Sequence, residues 1–202
     1  PLVVAENQKI LNDKYKLVKI LKKKDAARDK NEKLWLDKKF REYKIKKEDF
    51  VELNKRMDII PISIALAQAA KESGWGTSRF ALEGNAIFGQ WTWTGTGIAP
   101  LDRSKEQTHK ILRFPILRAS VKAYKNNLNT HKGYKSFREK RYSLRKKSKS
   151  ISGLKLIHTL DNYAETGKEY TKILSQIIEQ NSLMDFENVI LANTVVKKQL
   201  NL

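Results

Sequence analysis

The 202-residue chain contains no cysteine. That absence removes disulfides, zinc fingers, iron–sulfur ligation and thiol catalysis together. Proline and glycine are sparse, with 4 and 9 residues, which excludes collagen-like and low-complexity chains. No run of apolar residues approaches the roughly 18 that a membrane-spanning helix needs. Carboxylates are scarce too, 22 against 41 lysines and arginines, for a net charge of +19. What is present is a 40% apolar composition at 23.4 kDa, enough for one sizeable core or two very small ones, with about 70% of the extended surface buried.

The charge predicts a polyanionic partner, and nucleic acid, an anionic lipid face and the bacterial envelope all fit it. The excess concentrates in residues 121–150, which hold 11 basic side chains and 1 acidic one. Tyr134, Phe137 and Tyr142 lie in this band without a recognised reading motif, so nucleic acid is not expected. His109, His131 and His158 are spread out with no ligand spacing, and neither a metal nor any other cofactor is expected. The serines lack a nucleophile elbow, and Gly95-Thr96-Gly97 lacks the Lys-Ser/Thr ending of a phosphate-binding loop.

Periodicity predicts an α+β, mostly helical fold. In the first 50 residues apolar positions are scattered among charges, which predicts one or two helices after about residue 26. Ile62, Ala65, Leu66, Ala69 and Ala70 repeat at three and four residues, giving a helix over about 61–73 that the Gly74-Trp75-Gly76 turn ends. Residues 84–115 hold loop and hairpin signals, with 110–114 the best strand. Helical stripes then return through Val121, Tyr124 and Leu128, through the basic segment 132–142, through Leu154, Ile157 and Leu160, and through Tyr170, Ile173, Leu174, Ile177 and Ile178. The expected organisation is a basic helical extension over 1–50 packed on the main domain, a catalytic domain over 51–181, and an amphipathic C-terminal helix over 182–202.

One stretch, QAAKESGWGTSRFALEGNAIFGQWTW, carries chemistry that composition does not predict. Glu72 falls in the last turn of an Ala-rich apolar helix, where desolvation and the negative end of the helix dipole both raise a carboxyl pKa. Such a group can protonate a leaving oxygen near neutral pH. Trp75 follows three residues later, and Trp91 and Trp93 share one face if that segment is extended. Indole faces suit sugar rings, and the amides and hydroxyls of Asn85, Gln90, Asn126, Asn127, Asn129, Asn162, Tyr163 and Tyr170 suit N-acetyl sugars.

These blocks, with F-x-x-x-x-x-S-V-x-x-Y-x-x-N-L-N-T-H-x-x-Y over 114–134 and N-Y-A-E-T-G-x-x-Y over 162–170, resemble the Bax-type branch of glycoside hydrolase family 73. Its members are endo-β-N-acetylglucosaminidases of bacterial peptidoglycan. The resemblance covers about residues 50–182. It implies a lysozyme-like domain with a β-hairpin beside a groove, Glu72 as general acid, and Trp75, Phe88, Trp91, Tyr163 and Tyr170 lining the groove. The implied reaction is hydrolysis of the β-1,4 bond between N-acetylglucosamine and N-acetylmuramic acid. A muramidase, a lytic transglycosylase and an inactive peptidoglycan-binding module are the alternatives. The branch places a Glu directly after the histidine of T-H, where this chain has Lys110. The acids left in that segment are Asp102 and Glu106, either of which could be the second catalytic carboxylate, and the substrate's acetamido group could replace both. The expected partners are peptidoglycan strands and, through the basic band, the anionic envelope surface, with the protein a monomer. The expected location is the periplasm or cell envelope, or outside the cell, with a leader already removed from a chain that starts at Pro1.

Overall fold

The computed structural model describes residues 1–92, 97–99, 110–147 and 151–192. Eight α-helices and a three-stranded sheet are present among them: α1 (Leu2–Leu21), α2 (Lys30–Glu42), α3 (Phe50–Arg56), α4 (Ile62–Ser73), α5 (Arg79–Gly84), β1 (Trp91–Thr92), β2 (Gly97–Ile98), β3 (Lys110–Leu112), α6 (Leu117–Thr130), α7 (Lys135–Lys147) and α8 (Lys168–Gln180). This is a predominantly helical α+β fold consistent with a lysozyme-like architecture. No described helix is long and apolar enough to cross a membrane.

The sheet has the order β1-β3-β2, with β3 antiparallel to both neighbours and Trp91 opposite Ile111. It is one strand richer than the expected hairpin. Such short strands gain little alone, and this sheet is anchored by Ile111, which packs with Phe114 and Ala86.

Helix α4 is the spine of the domain. Ile62, Ile64, Ala65, Ala67, Gln68 and Ala70 are all buried, because small alanines let α8 approach closely on one side. Glu187 covers the other end of α4, accepting from the Ile62 amide at 3.1 Å and from the Ser63 hydroxyl, and it also accepts from the Gly153 amide at 3.0 Å. The Ile62 bond satisfies an amide that no turn of the helix can reach. At the C-terminus Gly74, Trp75 and Gly76 all take positive φ, +55°, +59° and +85°. The reversal is natural for the glycines, and for Trp75 it carries a cost of about 1–2 kcal/mol.

Two cores sit side by side. The larger joins Ile64, Ala67, Phe88, Val121, Tyr124, Leu128, Phe137, Leu156, Leu160, Tyr170, Leu174 and Ile178. The smaller joins Ile10, Leu17, Ile20, Leu36, Phe40, Leu53 and Met57. Asp58, 1% exposed, ties them together by pairing with Lys14 of α1 at 2.8 Å and Arg145 of α7 at 2.7 Å. Arg141 of α7 is fully buried and donates to the carbonyls of Lys55 and Ile59 at 2.9 and 2.8 Å, filling the C-terminal end of α3.

Three sequence expectations change here. The N-terminal helices begin at Leu2 rather than after residue 26. Ile10, Leu17 and Ile20 face the core while Leu11, Tyr15 and Val18 are exposed, so apolar residues on two faces conceal the helical period. The segment through Leu154, Ile157 and Leu160 is a 3-10 run, Ile157–Tyr163, broken by non-helical backbone at Leu160. The expected C-terminal helix is, in its described part, a 3-10 turn at Leu183–Phe186 followed by irregular chain to residue 192. Residues 193–202 lie outside the described residues. The basic band also contributes less free charge than its sequence suggests, since Arg138 and Arg141 point inward, 2% and 0% exposed.

Candidate active site

Glu72 stands where α4 ends, close against α8. Its Oε1 accepts a hydrogen bond from the Tyr170 hydroxyl at 2.8 Å. That hydroxyl accepts in turn from Gln68 Nε2 at 2.9 Å, and Gln68 Oε1 accepts from the Tyr124 hydroxyl at 2.7 Å. The chain Tyr124–Gln68–Tyr170–Glu72 thus runs in one direction. Tyr170 has a single proton, and with Gln68 donating to its oxygen, that proton goes to Glu72. Gln68 is fully buried and Tyr170 is 2% exposed, so solvent does not compete with the relay, and buried partners left unpaired would cost about 1–3 kcal/mol each.

The carboxyl of Glu72 is partly exposed yet largely desolvated, and burial raises its pKa above the ordinary value. The Tyr170 hydrogen bond and the nearby Lys71 charge oppose that rise without cancelling it. When the carboxyl is protonated, with Oε1 accepting from Tyr170, the proton belongs on Oε2. That oxygen lies beside Gly89, where an added Cβ would come within 3.2 Å of it. Gly89 has φ +57°, a backbone state disfavoured for residues with a Cβ, so glycine serves both the turn and the approach to Glu72.

Glu72 and Gly89 line a cleft of about 760 Å³ together with Trp91, Asn162, Tyr163 and the carboxylates Asp161 and Glu165, a volume inside the roughly 300–1,000 Å³ common for ligand sites. Trp91 is 51% exposed at the sheet edge. The Tyr163 ring stacks parallel on Tyr170, centroids 5.6 Å apart, and its hydroxyl donates to the Phe88 carbonyl at 3.1 Å. Tyr163 therefore holds the backbone that leads into Gly89.

Other residues expected at the site sit elsewhere. Phe88 is 2% exposed and stacked on Tyr124 at 3.8 Å, a core residue that acts through its carbonyl. Asn85 caps α5 in a left-handed conformation and donates to the Phe114 carbonyl at 3.0 Å, lining a separate recess beside Arg113 and Pro115. Trp75 is 64% exposed, and neither it nor Gln90 is among the cleft's lining residues. The tight turn after α4 turns the Trp75 ring to solvent, and the side-chain oxygen of Gln90 is buried away from the cleft while its backbone carbonyl accepts from the Leu112 amide at 2.7 Å. Tyr170 supports Glu72 from behind rather than lining the cleft. Trp93, Asp102 and Glu106 lie outside the described residues. The cleft carboxylates Asp161 and Glu165 are not among the expected site residues, although Glu165 lies within, and Asp161 directly before, the block that contains Tyr163 and Tyr170. Among the described residues no cluster of His, Asp and Glu could hold a metal.

The family model described as Glucosaminidase, mannosyl-glycoprotein endo-beta-N-acetylglucosaminidase, matches residues 47–183. Protein bax of Escherichia coli (strain K12) is 38% identical over 129 residues, 64% of this chain and 46% of that protein. The chain therefore spans less than half the length of that relative. No solved structure matches it.

Proposed function

We propose, from the premise that this chain belongs to the glucosaminidase family, that it hydrolyses the β-1,4 bond between N-acetylglucosamine and N-acetylmuramic acid in peptidoglycan. The observation that carries the reading is Glu72, a carboxyl of raised pKa whose Oε1 is held by Tyr170 and whose Oε2 is left for the cleft.

In this reading a glycan strand lies in the cleft with a sugar face against Trp91. Glu72 delivers its Oε2 proton to the glycosidic oxygen as the bond breaks, a contribution of about 10²–10⁴ in rate. The Tyr170 hydrogen bond then stabilises the carboxylate that forms. A second carboxylate, drawn from Asp161 and Glu165 in the cleft or Asp102 and Glu106 in the segment before β3, activates water or stabilises the oxocarbenium-like state. The envelope, on either side of the outer boundary of the cell, is the proposed place of action, since the substrate is there.

Digestion of purified peptidoglycan followed by reduction and mass analysis tests the bond. New reducing ends at N-acetylglucosamine are expected. Reducing ends at N-acetylmuramic acid, or anhydro-muramic products, would reassign the protein as a muramidase or a lytic transglycosylase.

A further inference from the structure

A second cleft, of about 770 Å³, opens on the other side of α6 from the catalytic core. Val121, Tyr124 and Leu128 form the buried stripe of α6, while Lys122 and Asn126, four residues apart on the opposite stripe, face this cleft. The facing wall comes from the end of α2, with Lys38 and Arg41. The family match begins at residue 47, so this site exists only because the N-terminal extension packs against the family domain.

Its charge is unbalanced. The one carboxylate on the cleft wall, Glu42, is already paired with Lys39 at 2.8 Å, and Lys125 with Glu6 at 3.0 Å. Lys38, Arg41 and Lys122 are exposed at the mouth and have no carboxylate partner among the described residues. The exposed amide of Asn126 is likewise uncommitted there, with a donor and an acceptor both available. Beneath these groups Phe114 and Tyr43, 8% and 4% exposed, provide an apolar floor.

We infer that this composite cleft binds the acidic stem peptides of peptidoglycan, apart from the site that cleaves the glycan. The inference rests on the substrate proposed above. A stem peptide carries carboxylates along a short chain, secondary amides between them and alanine methyl groups. Those three features match the three free cations, the Asn126 amide and the apolar floor. A phosphodiester polymer would meet the cations but bring nothing to the floor, which favours the peptide. The site would hold the enzyme on peptide-bearing wall while the catalytic cleft works on a neighbouring strand.

The test is calorimetry of the full chain with a free stem tetrapeptide that carries no sugar, at low and at high salt. Saturable, salt-weakened binding is expected, with Arg41→Glu plus Lys122→Glu raising Kd about tenfold or more and the milder Lys38→Gln about threefold. Thermal unfolding checks that the variants remain folded. Cleavage of glycan strands stripped of their peptides should be unchanged in the double variant, while KM on intact peptidoglycan rises at constant kcat. Absence of saturable peptide binding by the wild type, equal binding by the folded variants, or tighter binding of poly(glycerol phosphate) than of peptide would overturn the inference. If the wild type cleaves neither substrate, the proposed reaction fails, and the calorimetry still decides the peptide site.

Discussion

The Tyr170 hydroxyl donates to Glu72 Oε1 at 2.8 Å and receives its own hydrogen bond from Gln68 at 2.9 Å. A phenol so placed can only donate toward the carboxyl, which makes it a stabiliser of the ionised form. Burial pushes the Glu72 pKa up and Tyr170 pulls it back.

Tyr170→Phe removes the larger of the two opposing influences and leaves the Lys71 charge, so the Glu72 pKa rises further. If the protonated carboxyl is the active form, the alkaline limb of the pH–rate profile moves to higher pH, while kcat falls about tenfold or more as Glu72 loses its anchor. The profile of kcat/KM for the two proteins measures both effects. An alkaline limb that moves to lower pH would show that Tyr170 does not act on the ionised carboxyl as its geometry indicates.

Gly89→Ala adds a methyl group within 3.2 Å of Glu72 Oε2 and places alanine at φ +57°. A cost of about 1–2 kcal/mol in stability from the left-handed backbone is expected, with a larger proportional loss in kcat than in substrate affinity. Thermal melts and steady-state kinetics separate the two.

Trp91→Ala is expected to raise KM for peptidoglycan severalfold, since the indole is the exposed flat surface on the cleft wall. Trp75→Ala serves as the comparison, with KM unchanged because that ring is turned to solvent outside the cleft. Equal effects on KM would place Trp75 on the substrate path as well.

Asp58→Asn leaves Lys14, Arg141 and Arg145 without their shared counter-charge, and a loss of about 3–5 kcal/mol is expected for breaking a buried pairing. The surrounding cations hold the Asp58 carboxyl well below the usual carboxylate range despite its burial. Its folded pKa is thus depressed, so its contribution is present above the unfolded value near 3.9 and is lost as pH falls through the folded value. Denaturant melts across the acid range should show the wild type losing stability on acidification more steeply than the variant.

The helical repeats of α4, α6 and α8 were legible because each buries one stripe, and the position of Glu72 at a helix end followed from the alanine pattern and the Gly74 stop. Helix α1 was not, because Leu11, Tyr15 and Val18 decorate the face opposite Ile10, Leu17 and Ile20. At the site, the spacing of aromatic residues could not distinguish a ring in the cleft from one in the core. Phe88 belongs to the core through its stack on Tyr124, and Trp75 to the surface through a backbone reversal that depends on three successive φ values. The Gln68 relay was equally hidden. A glutamine within an apolar helix declares a buried partner, but only the tertiary fold supplies Tyr124 and Tyr170 on two other helices.

The most direct measurement is turnover of purified peptidoglycan by the wild type and by Glu72→Gln, with wall binding and thermal stability recorded on the same preparations. The amide keeps the size of the side chain but has no acid proton to deliver. Because the folded carboxyl pKa is raised, its contribution to stability is present below the unfolded value near 4.3 and is lost as pH rises through the folded value. The amide, which never ionises, should therefore melt at the same temperature as the wild type or higher at neutral pH. The account predicts a fall in turnover of about 10²–10⁴ with wall binding intact. A Glu72→Gln protein that keeps more than about a tenth of wild-type turnover, outside the range expected for a lost general acid, would contradict it.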